Sequence, residues 1–546
     1  MIPRSLPLFC PLFLLSASPL IAQGGGWDTL RRFNGEGHRD RFGVSIAPVG
    51  WLNSDSIPEV AIGAPGFDHS GWSDAGALYL FSADGRRLHR WVGTSAGAEF
   101  GSAVDSGNDL NGDGFADFIV GAPGSLGRRG QAFLYSGKDG SELQSWSGQN
   151  PGDRFGQVAR FVGDWDGDGT SEAIVGESRD FRLVGSLELL GSQILGNQAK
   201  EHLTWVDALR AEDMSTSHPL AVLGYPLQKV HGYDQAGSAV WLDASLSPVV
   251  LQGTMAGEAF GAAVAVLGDI NGDGLPEWAV GAPGSPGPAG NGAGRVDVFD
   301  GATHQLLKQW AGSRAGDAFG SSLAAAGDVN GDGFPDLLIG SSSADGGGGT
   351  FRLYSGADWT QLWHRDGKGH DTAMGHRLAA IGDVDQNGFK DFLVTAPGLN
   401  TGSTPDTGAA LHFDFRSFLS AQPTQLSAAS GGQVEYLLDF SNWESGGQYW
   451  LLFSARGTGP TQVGFLEIPL SDGPLLQMGL SGQSLPYTQQ TSGQLDGKAK
   501  ATALLDAPPQ ALNFLIGRSL YAAAVVEPPG QAPWQVSEAV EVSILP

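Results

Sequence analysis

The sequence predicts an all-β fold, a seven-bladed β-propeller of four-stranded antiparallel blades followed by a C-terminal β-sandwich of immunoglobulin-like size. Three observations predict it. Glycine accounts for 84 of the 546 residues and charged residues for only 16%, a composition typical of short strands joined by tight turns. A Phe-Gly pair recurs at intervals near 55 residues. A segment rich in Asp, Asn and Gly follows most of these pairs at a fixed distance.

The Phe-Gly pairs divide most of the chain into repeat units. They lie at Phe42-Gly43, Phe100-Gly101, Phe155-Gly156, Phe260-Gly261 and Phe319-Gly320, and Met374-Gly375 takes the next equivalent place. The interval of 105 residues between the third and fourth pairs is close to two units, so a degenerate unit is expected within it. Leu203 marks that unit, because it precedes Gly224 by 21 residues, the offset that separates Phe100 from Gly121. Seven units therefore extend from about residue 42 to residue 415.

Each unit is predicted to form four antiparallel strands, since propeller repeats of ~40–50 residues contain four. A blade buries both of its faces only by packing against its neighbours. In the second unit the predicted strands are Phe100 to Val104, Asp117 to Gly121, Gln131 to Ser136 and Glu142 to Trp146.

The two ends of the repeat region suggest how the ring closes. The segment from Trp27 to Phe33 resembles the fourth strand of a unit, whereas the seventh unit ends after a third strand, Ala409 to Phe413. The N-terminal strand is therefore expected to complete the last blade. We predict domains at 1–22 (signal peptide), 23–416 (propeller) and 420–546 (sandwich). The sandwich strands are expected at Val434 to Phe440, Tyr449 to Ser454, Ala501 to Leu505 and Val540 to Leu545.

The N-terminus and the net charge predict a secreted protein that binds neither nucleic acid nor membrane. Arg4 followed by the apolar run Leu6 to Leu15, with a cleavage site after Ala22, is typical of a signal peptide. Cys10 allows a lipoprotein alternative, but bulky Phe9 stands where a lipobox has a small residue. The net charge of -27 repels phosphate and anionic lipid. Without Cys10 the mature chain has no cysteine, so bound metal is the expected staple outside the cell.

Five acidic loops between the first and second strands are the strongest chemical signal. Their residues at loop positions 1, 3, 5, 7 and 9 are Asp109, Asn111, Asp113, Phe115 and Asp117; Asp164, Asp166, Asp168, Thr170 and Glu172; Asp269, Asn271, Asp273, Leu275 and Glu277; Asp328, Asn330, Asp332, Phe334 and Asp336; and Asp383, Asp385, Asn387, Phe389 and Asp391.

This spacing suits a hard cation. Oxygens at positions 1, 3 and 5 of a tight turn converge, Gly at position 6 lets the carbonyl of position 7 join them, and the acid at position 9 closes the shell. Such a set favours Ca²⁺ over Mg²⁺ and over softer transition metals. The alternative is a turn that binds nothing, but five equivalent copies argue against it. Unit one (Trp51, Asn53, Asp55, Ser56, Glu59) is expected to bind weakly or not at all, and unit four (Glu212, Met214, Thr216) to be metal-free.

The series Phe-Gly, Asp-x-Asn-x-Asp-Gly-x-x-Asp and Gly-Ala-Pro resembles the FG-GAP repeats of integrin α-subunit propellers and of similar bacterial secreted proteins. The resemblance covers roughly residues 27–415. It implies that units two, three, five, six and seven bind about five Ca²⁺, which stiffen one face of the propeller. It also implies that a ligand binds the opposite face through the second-to-third and fourth-to-first strand loops. No unit has room for the inserted adhesion domain of some integrins.

The leading functional hypothesis is a non-enzymatic extracellular binding or adhesion module with structural Ca²⁺ and a protein or glycan ligand. A secreted hydrolase or lyase acting on polysaccharide or lipid, and a surface structural protein, are the alternatives. The chain contains no common catalytic motif. Three further groups are interpreted structurally: the histidines and acids His364, Asp366, His370, Asp371 and His376 as a solvated loop, Trp91, Trp146 and Trp310 as blade packing, and Arg128 and Arg129 as exposed turn residues.

Overall fold

The computed structural model describes residues 25–546 apart from a set of short segments. Those segments are 51, 53–56, 108, 164–170, 177–180, 185–188, 191–204, 209–219, 244–247, 289, 331, 368–371, 385–388, 401–404, 418, 440–445, 457–460, 464–465, 469, 482, 484–485, 497–499, 528–534 and 538–539. The chain forms two compact domains, which are described separately. The N-terminal domain comprises Thr29–Asp414, and the C-terminal domain contains Phe415–Pro546. The predicted signal peptide, residues 1–22, lies outside the described residues and stays a prediction.

The N-terminal domain is built from four-stranded sheets whose strands pair in chain order. The described residues form seven such sheets: β2–β5 (Ser45–Gly50, Glu59–Ala64, Ala77–Ser82, Arg87–Val92), β6–β9 (Ala103–Ser106, Phe118–Ala122, Gln131–Tyr135, Glu142–Ser147), β10–β13 (Val158–Gly163, Glu172–Gly176, Phe181–Val184, Leu189–Leu190), β14–β17 (Trp205–Ala208, Leu220–Tyr225, Ser238–Asp243, Val249–Gln252), β18–β21 (Ala263–Gly268, Glu277–Ala282, Arg295–Phe299, Leu306–Ala311), β22–β25 (Ser322–Gly327, Asp336–Ser341, Thr350–Tyr354, Gln361–Asp366) and β26–β28 (Leu378–Gly382, Asp391–Ala396, Ala409–Ser417) with β1 (Gly25–Asn34).

The first strands of the sheets line up side by side around a ring. β2, β6, β10, β14, β18, β22 and β26 each contact the next in this order, and β26 contacts β2. The N-terminal β1 pairs with β28, so a strand from the start of the chain completes the last sheet, as predicted. The all-β class and the four-stranded antiparallel sheets are confirmed.

Apolar side chains from neighbouring sheets form the cores of the N-terminal domain. Between the first two sheets, Leu78 and Leu80 of β4 pack with Phe100, Val104 and Phe118 of the next repeat. The second strand of each such pair, Glu59–Ala64 or Phe118–Ala122, is buried along its whole length. A strand buried on both faces has no alternating pattern, which explains its continuous apolar run.

The first strand of a unit begins later than the sequence suggested. A strand was expected from Phe100, but β6 begins at Ala103. Phe100 instead makes an isolated parallel bridge with Gly76 of the preceding unit, and Gly101 has a left-handed φ of 84°. That φ turns the backbone out of the extended conformation, so the Phe-Gly pair joins two units before the strand starts.

The C-terminal domain contains two sheets and a short hairpin. Its strands are β29 (Leu419–Gln422), β30 (Gln425–Ser427), β31 (Gly432–Asp439), β32 (Gln448–Ser454), β33 (Thr461–Val463), β34 (Leu466–Ile468), β35 (Thr488–Gln489), β36 (Ser492–Gln494), β37 (Lys500–Ala507), β38 (Ser519–Glu527), β39 (Gln535–Val536) and β40 (Val540–Leu545). One sheet has the order β29-β31-β37-β35, the other β30-β40-β38-β32-β36 with β39 beside β38. Residues of both sheets, among them Val434, Tyr436, Leu451 and Leu520, share one buried core.

Helical segments are short in the described part of the chain. They are α1 (Ser125–Arg128), α2 (Ala344–Gly347), α3 (Pro474–Leu480) and a 3₁₀ turn at Asn513–Leu515. None of the helices in the described ranges has the length and apolar character needed to cross a lipid bilayer.

Candidate metal centre

Three of the five predicted loops have all of their candidate ligand residues described, namely those of the second, fifth and sixth units. Each loop joins the first strand of its sheet to the second, as β6 to β7 does. All three loops therefore lie at the same end of their sheets. The residues at positions 1, 3 and 5 are partly or fully exposed, whereas the acid at position 9 begins or directly precedes the buried second strand.

The acid at position 1 holds the turn together through backbone amides. In the second unit, Gly112 and Asp113 donate to Asp109 Oδ1 at 2.7 and 3.0 Å, and Gly114 donates to Asp109 Oδ2 at 2.6 Å. In the fifth unit the corresponding three amides donate to Asp269 at 2.7–3.1 Å. These bonds lower the pKa of Asp109, the bond from Gly114 most of all. Asp109 is therefore ionised and held in place at neutral pH.

Positions 3 and 5 are tied to each other. Asn111 Nδ2 donates to Asp113 Oδ2 at 3.0 Å, and the Asp113 amide donates to Asn111 Oδ1 at 2.9 Å. The fifth and sixth units repeat both bonds at 2.8–3.1 Å. The side-chain oxygens of positions 1, 3 and 5 therefore lie around one turn.

The acid at position 9 is fully buried and accepts an amide from position 2. Leu110 donates to Asp117 at 2.9 Å, and the same bond recurs at 2.6–2.9 Å in four other units. The acceptors there are Glu59, Glu277, Asp336 and Asp391, each with no exposed surface. The recurrence includes unit one, so that degenerate loop keeps its closing acid in position.

Burial gives these closing acids an unfavourable environment when they are charged. Loss of water, and then repulsion from the acids at positions 1 and 5, raise the pKa of Asp117. Loss of water likewise raises the pKa of Glu277, and it raises the pKa of Asp336 to about 7. A divalent cation beside such a carboxylate offsets both effects, because opposite charge favours the ionised form.

A sixth contributor, at the end of the third strand, is not among the residues predicted from the sequence. Ser136 and Ser355 follow β8 and β24, and their hydroxyls donate to Asp113 and Asp332 at 3.0 and 2.9 Å. In the fifth unit Asp300 takes this place after β20, and Asn271 Nδ2 donates to its Oδ2 at 2.8 Å. The strand pairing brings this residue to a loop partner that lies 23 to 29 positions away in the chain, so spacing along the chain gives no sign of it.

The fifth unit gathers the densest set of oxygen ligands among the described residues. Carboxylate oxygens of Asp273, Glu277 and Asp300 all lie within 4.8 Å of one another. Thr303 donates to Asp300 Oδ1 through its hydroxyl at 2.7 Å and its amide at 2.6 Å, and these bonds lower the pKa of Asp300. This all-oxygen set fits Ca²⁺, which prefers carboxylate and carbonyl ligands.

The other loops are described only in part. In the third unit only Glu172, which is buried, is described among the candidates, since Asp164, Asp166, Asp168 and Thr170 lie outside the described residues. In the seventh unit Asp383, Phe389 and Asp391 are described, whereas Asp385 and Asn387 are not. Two further sets of loop residues also lie outside the described residues. They are Trp51, Asn53, Asp55 and Ser56 of unit one, and Glu212, Met214 and Thr216 of unit four.

The closing acid of the seventh unit has a histidine beside it. His412 Nε2 lies 3.2 Å from Asp391 Oδ2, and both side chains are fully buried. The register places His412 where the second and sixth units have Leu134 and Leu353. The seventh site therefore differs chemically from the others.

The tryptophan series belongs to the packing between neighbouring sheets. Trp91 contacts Phe118 of the next unit at 5.0 Å between ring centroids, and its Nε1 donates to Gly140 O at 3.0 Å. Trp310 contacts Tyr354 of the next unit at 4.7 Å. This agrees with the interpretation as blade packing.

The remaining sequence candidates do not form a common centre in the described part of the chain. His364 and Asp366 are exposed on β25, whereas His376 precedes β26, where burial lowers its pKa to about 3. His370 and Asp371 lie outside the described residues. Arg128 and Arg129 are exposed at the loop between β7 and β8, as expected of turn residues.

The three complete loops coincide with a family match. The model of the FG-GAP repeat matches residues 100–135, 260–299 and 319–354, which are the first three strands of the second, fifth and sixth units with their loops. The chain contains three segments that match the FG-GAP repeat. Its predicted resemblance to integrin α-type repeats is thereby confirmed.

Integrin α-chains are among the similar proteins. Integrin alpha-8 of Gallus gallus is 29% identical over 198 residues, which are 31% of this chain and 19% of that protein. Integrin alpha-5 of Xenopus laevis is 32% identical over 174 residues, 29% of this chain and 16% of that protein. This chain thus spans less than a fifth of the length of either relative. A solved structure described as "Structure of Dos1 propeller" covers 71% of this chain and 95% of its own, with 11% identity and a TM-score of 0.41.

Proposed function

We propose that the chain is an extracellular, non-catalytic FG-GAP module that binds a protein or glycan ligand, and that Ca²⁺ stabilises its loops without taking part in chemistry. The fully buried acids at position 9 of the second, fifth and sixth units, each preceded by two further carboxylates in its loop, are the observation that carries the proposal. The integrin α relatives and the family match support a binding role. Export through cleavage of residues 1–22 belongs to the same proposal, and N-terminal sequencing of the exported protein should begin at Gln23.

Calcium explains why the acids at position 9 are buried at all. Asp117, Glu277 and Asp336 have no exposed surface, and burial alone raises the pKa of each. A buried charge without a partner is unfavourable by several kcal/mol. A bound divalent cation removes that penalty in the folded state only, and so links binding to stability.

The need for such a staple follows from composition. Cys10 is the only cysteine of the sequence, and it belongs to the predicted signal peptide. Extracellular domains commonly rely on disulfides, which a chain cut after Ala22 cannot form within itself. Cations in several loops are the alternative staple.

The ligand is proposed to bind at the end of the sheets opposite to the calcium loops. In antiparallel sheets, the loops between second and third strands lie at that end. Trp72 and Tyr233 stand there in units one and four, 42% and 48% exposed. Each closes a small hairpin, because His69 and Trp72, and likewise Val230 and Tyr233, exchange two backbone hydrogen bonds. Aromatic residues on a rigid turn are frequent hot spots of binding surfaces.

Thermal unfolding with Ca²⁺ and with a chelator tests the calcium part. At a free Ca²⁺ concentration of 100 times Kd, each site adds about 2.7 kcal/mol to the free energy of unfolding. Asp113→Ala should lower the Ca²⁺ stoichiometry by one site. Glu142→Gln, which removes an exposed acid from β9 of the same unit, should leave the stoichiometry unchanged. Equal melting temperatures in Ca²⁺ and chelator would exclude structural calcium.

Glycan and protein binding arrays test the ligand part. Trp72→Ala and Tyr233→Ala should weaken binding of any ligand that the arrays find. Phe514→Ala is the matched control, since Phe514 is an aromatic residue of the C-terminal domain with 65% of its surface exposed. Binding that is lost in the control but kept in the two variants would place the ligand site elsewhere. Turnover of a polysaccharide or lipid by the purified chain would favour the enzymatic alternative.

A further inference from the structure

We propose that Asp300 is a further carboxylate ligand of the fifth-unit cation site, and that it makes this site the tightest of the three fully described loops. The inference rests on the proposed calcium function, which assigned only the nine-residue loop to the metal. It concerns a residue outside that loop, 23 positions beyond Glu277.

The side-chain amide of Asn271 brings Asp300 together with two acids of the loop. Asn271 Nδ2 lies 3.1 Å from Asp273 Oδ2, 2.9 Å from Glu277 Oε1 and 2.8 Å from Asp300 Oδ2. One partly positive group thus stands at the centre of three carboxylates. In the second unit the equivalent Asn111 Nδ2 donates to Asp113 at 3.0 Å, and there the strand-end residue is a serine. Only in the fifth unit, among these three, is the strand-end residue itself an acid.

The residue at the end of the third strand differs in chemistry between these units. Ser136 and Ser355 use their hydroxyl protons to donate to Asp113 and Asp332, so they neutralise part of the charge offered to a cation. Asp300 has no proton to donate when ionised and adds a full negative charge. The fifth unit therefore offers four acids, whereas the second and sixth offer three each. More carboxylates in a site raise its affinity for Ca²⁺.

Asp300 is held in place by its surroundings. It is 8% exposed, and Thr303 fixes its Oδ1 with two hydrogen bonds. Its Oδ2 is thereby directed to Asn271 at the turn. A carboxylate already held in position loses little entropy when it binds a metal.

Calcium titration calorimetry on the full chain tests the inference. Asp300→Ser, which copies the second and sixth units, should weaken the tightest class of sites by about 10- to 100-fold. The reciprocal Ser136→Asp should strengthen one site. In an Asp273→Ala background, where the fifth-unit site is already lost, Asp300→Ser should have no further effect. This background shows that Asp300 acts on that site and not on the fold at large.

The outcomes separate this inference from the proposed function. If the wild type binds Ca²⁺ and Asp300→Ser leaves every affinity unchanged, Asp300 is not a ligand while structural calcium stands. If the wild type shows no Ca²⁺ binding, both proposals fail. Melting in chelator checks that each variant is folded. Should Asp300→Ser unfold, Asp300→Asn decides, because it keeps an acceptor for Thr303 and removes the charge.

Discussion

The backbone of Gly121 lies directly against the carbonyl oxygen of Gly156 in the next repeat unit. A Cβ placed on Gly121 would stand 1.8 Å from that oxygen. The same approach recurs for Gly63 against Gly101, Gly224 against Gly261 and Gly281 against Gly320, at 1.9–2.0 Å. The glycine of Gly-Ala-Pro and the glycine of Phe-Gly are thus the two sides of one contact between consecutive units.

Gly121→Ala should therefore destabilise the N-terminal domain. The methyl group forces two sheets apart, and overpacking of this kind costs about 1–3 kcal/mol. Urea unfolding at saturating Ca²⁺ measures the change. Ser145→Ala, at an exposed position of β9 in the same sheet, is the control and should stay within about 0.5 kcal/mol of wild type. Equal stability of both variants would show that neighbouring sheets tolerate a wider spacing.

The repeat pattern predicted the strands well because each strand has its own local signal. β40 was placed at both of its ends, and β9 and β32 to within one residue. The start of β6 was wrong by three residues, since the Phe-Gly pair bridges to the previous unit, a contact between distant residues. The degenerate unit was found through Gly224, whose close approach to Gly261 is the physical reason for its offset.

The candidate metal site was predicted in its local part only. Positions 1 to 9 are consecutive, so their convergence follows from the turn itself. Ser136, Asp300 and Ser355 reach the turn through strand pairing, which a short motif cannot reveal. His412 beside Asp391 was missed for the same reason.

Removal of β1 should destabilise the last sheet. β1 pairs with β28, so its loss leaves a long strand with an unpaired edge. A chain that starts at Gly35 is expected to melt at a lower temperature and to aggregate more readily than a chain that starts at Gly25. Differential scanning calorimetry with light scattering compares the two. If their melting temperatures agree, the stability of the N-terminal domain does not depend on this strand.

Loss of Glu258 should be among the most harmful single changes. This fully buried acid pairs with Arg295 at 2.5 Å and accepts the amides of Thr254 and Met255 at 2.8 and 3.1 Å. Glu258→Ala leaves these donors without their acceptor, at a cost of about 3–5 kcal/mol. Glu258→Gln keeps one acceptor and should lose less. Equal losses in urea unfolding would contradict this explanation.

The stability of the cation-free protein should decrease as pH rises. Burial raises the pKa of Asp336 from 3.8 to about 7, and raises those of Asp117 and Glu277. The folded state therefore holds these protons more tightly than the unfolded state. Their contribution is fully present below pH 4 and is lost on the way to pH 7.

Melting temperatures across this pH range, with chelator and with saturating Ca²⁺, test the pH dependence. Ca²⁺ should reduce the decrease, because a bound cation stabilises the ionised acids. Asp336→Asn cannot titrate at this position, so it should show a shallower decrease in chelator than wild type, whatever its absolute stability. Glu142→Gln, which removes an exposed acid, should keep the wild-type slope. A slope that Asp336→Asn leaves unchanged would mean that the buried acids do not control the pH dependence, and that other groups lose their protons as the pH rises.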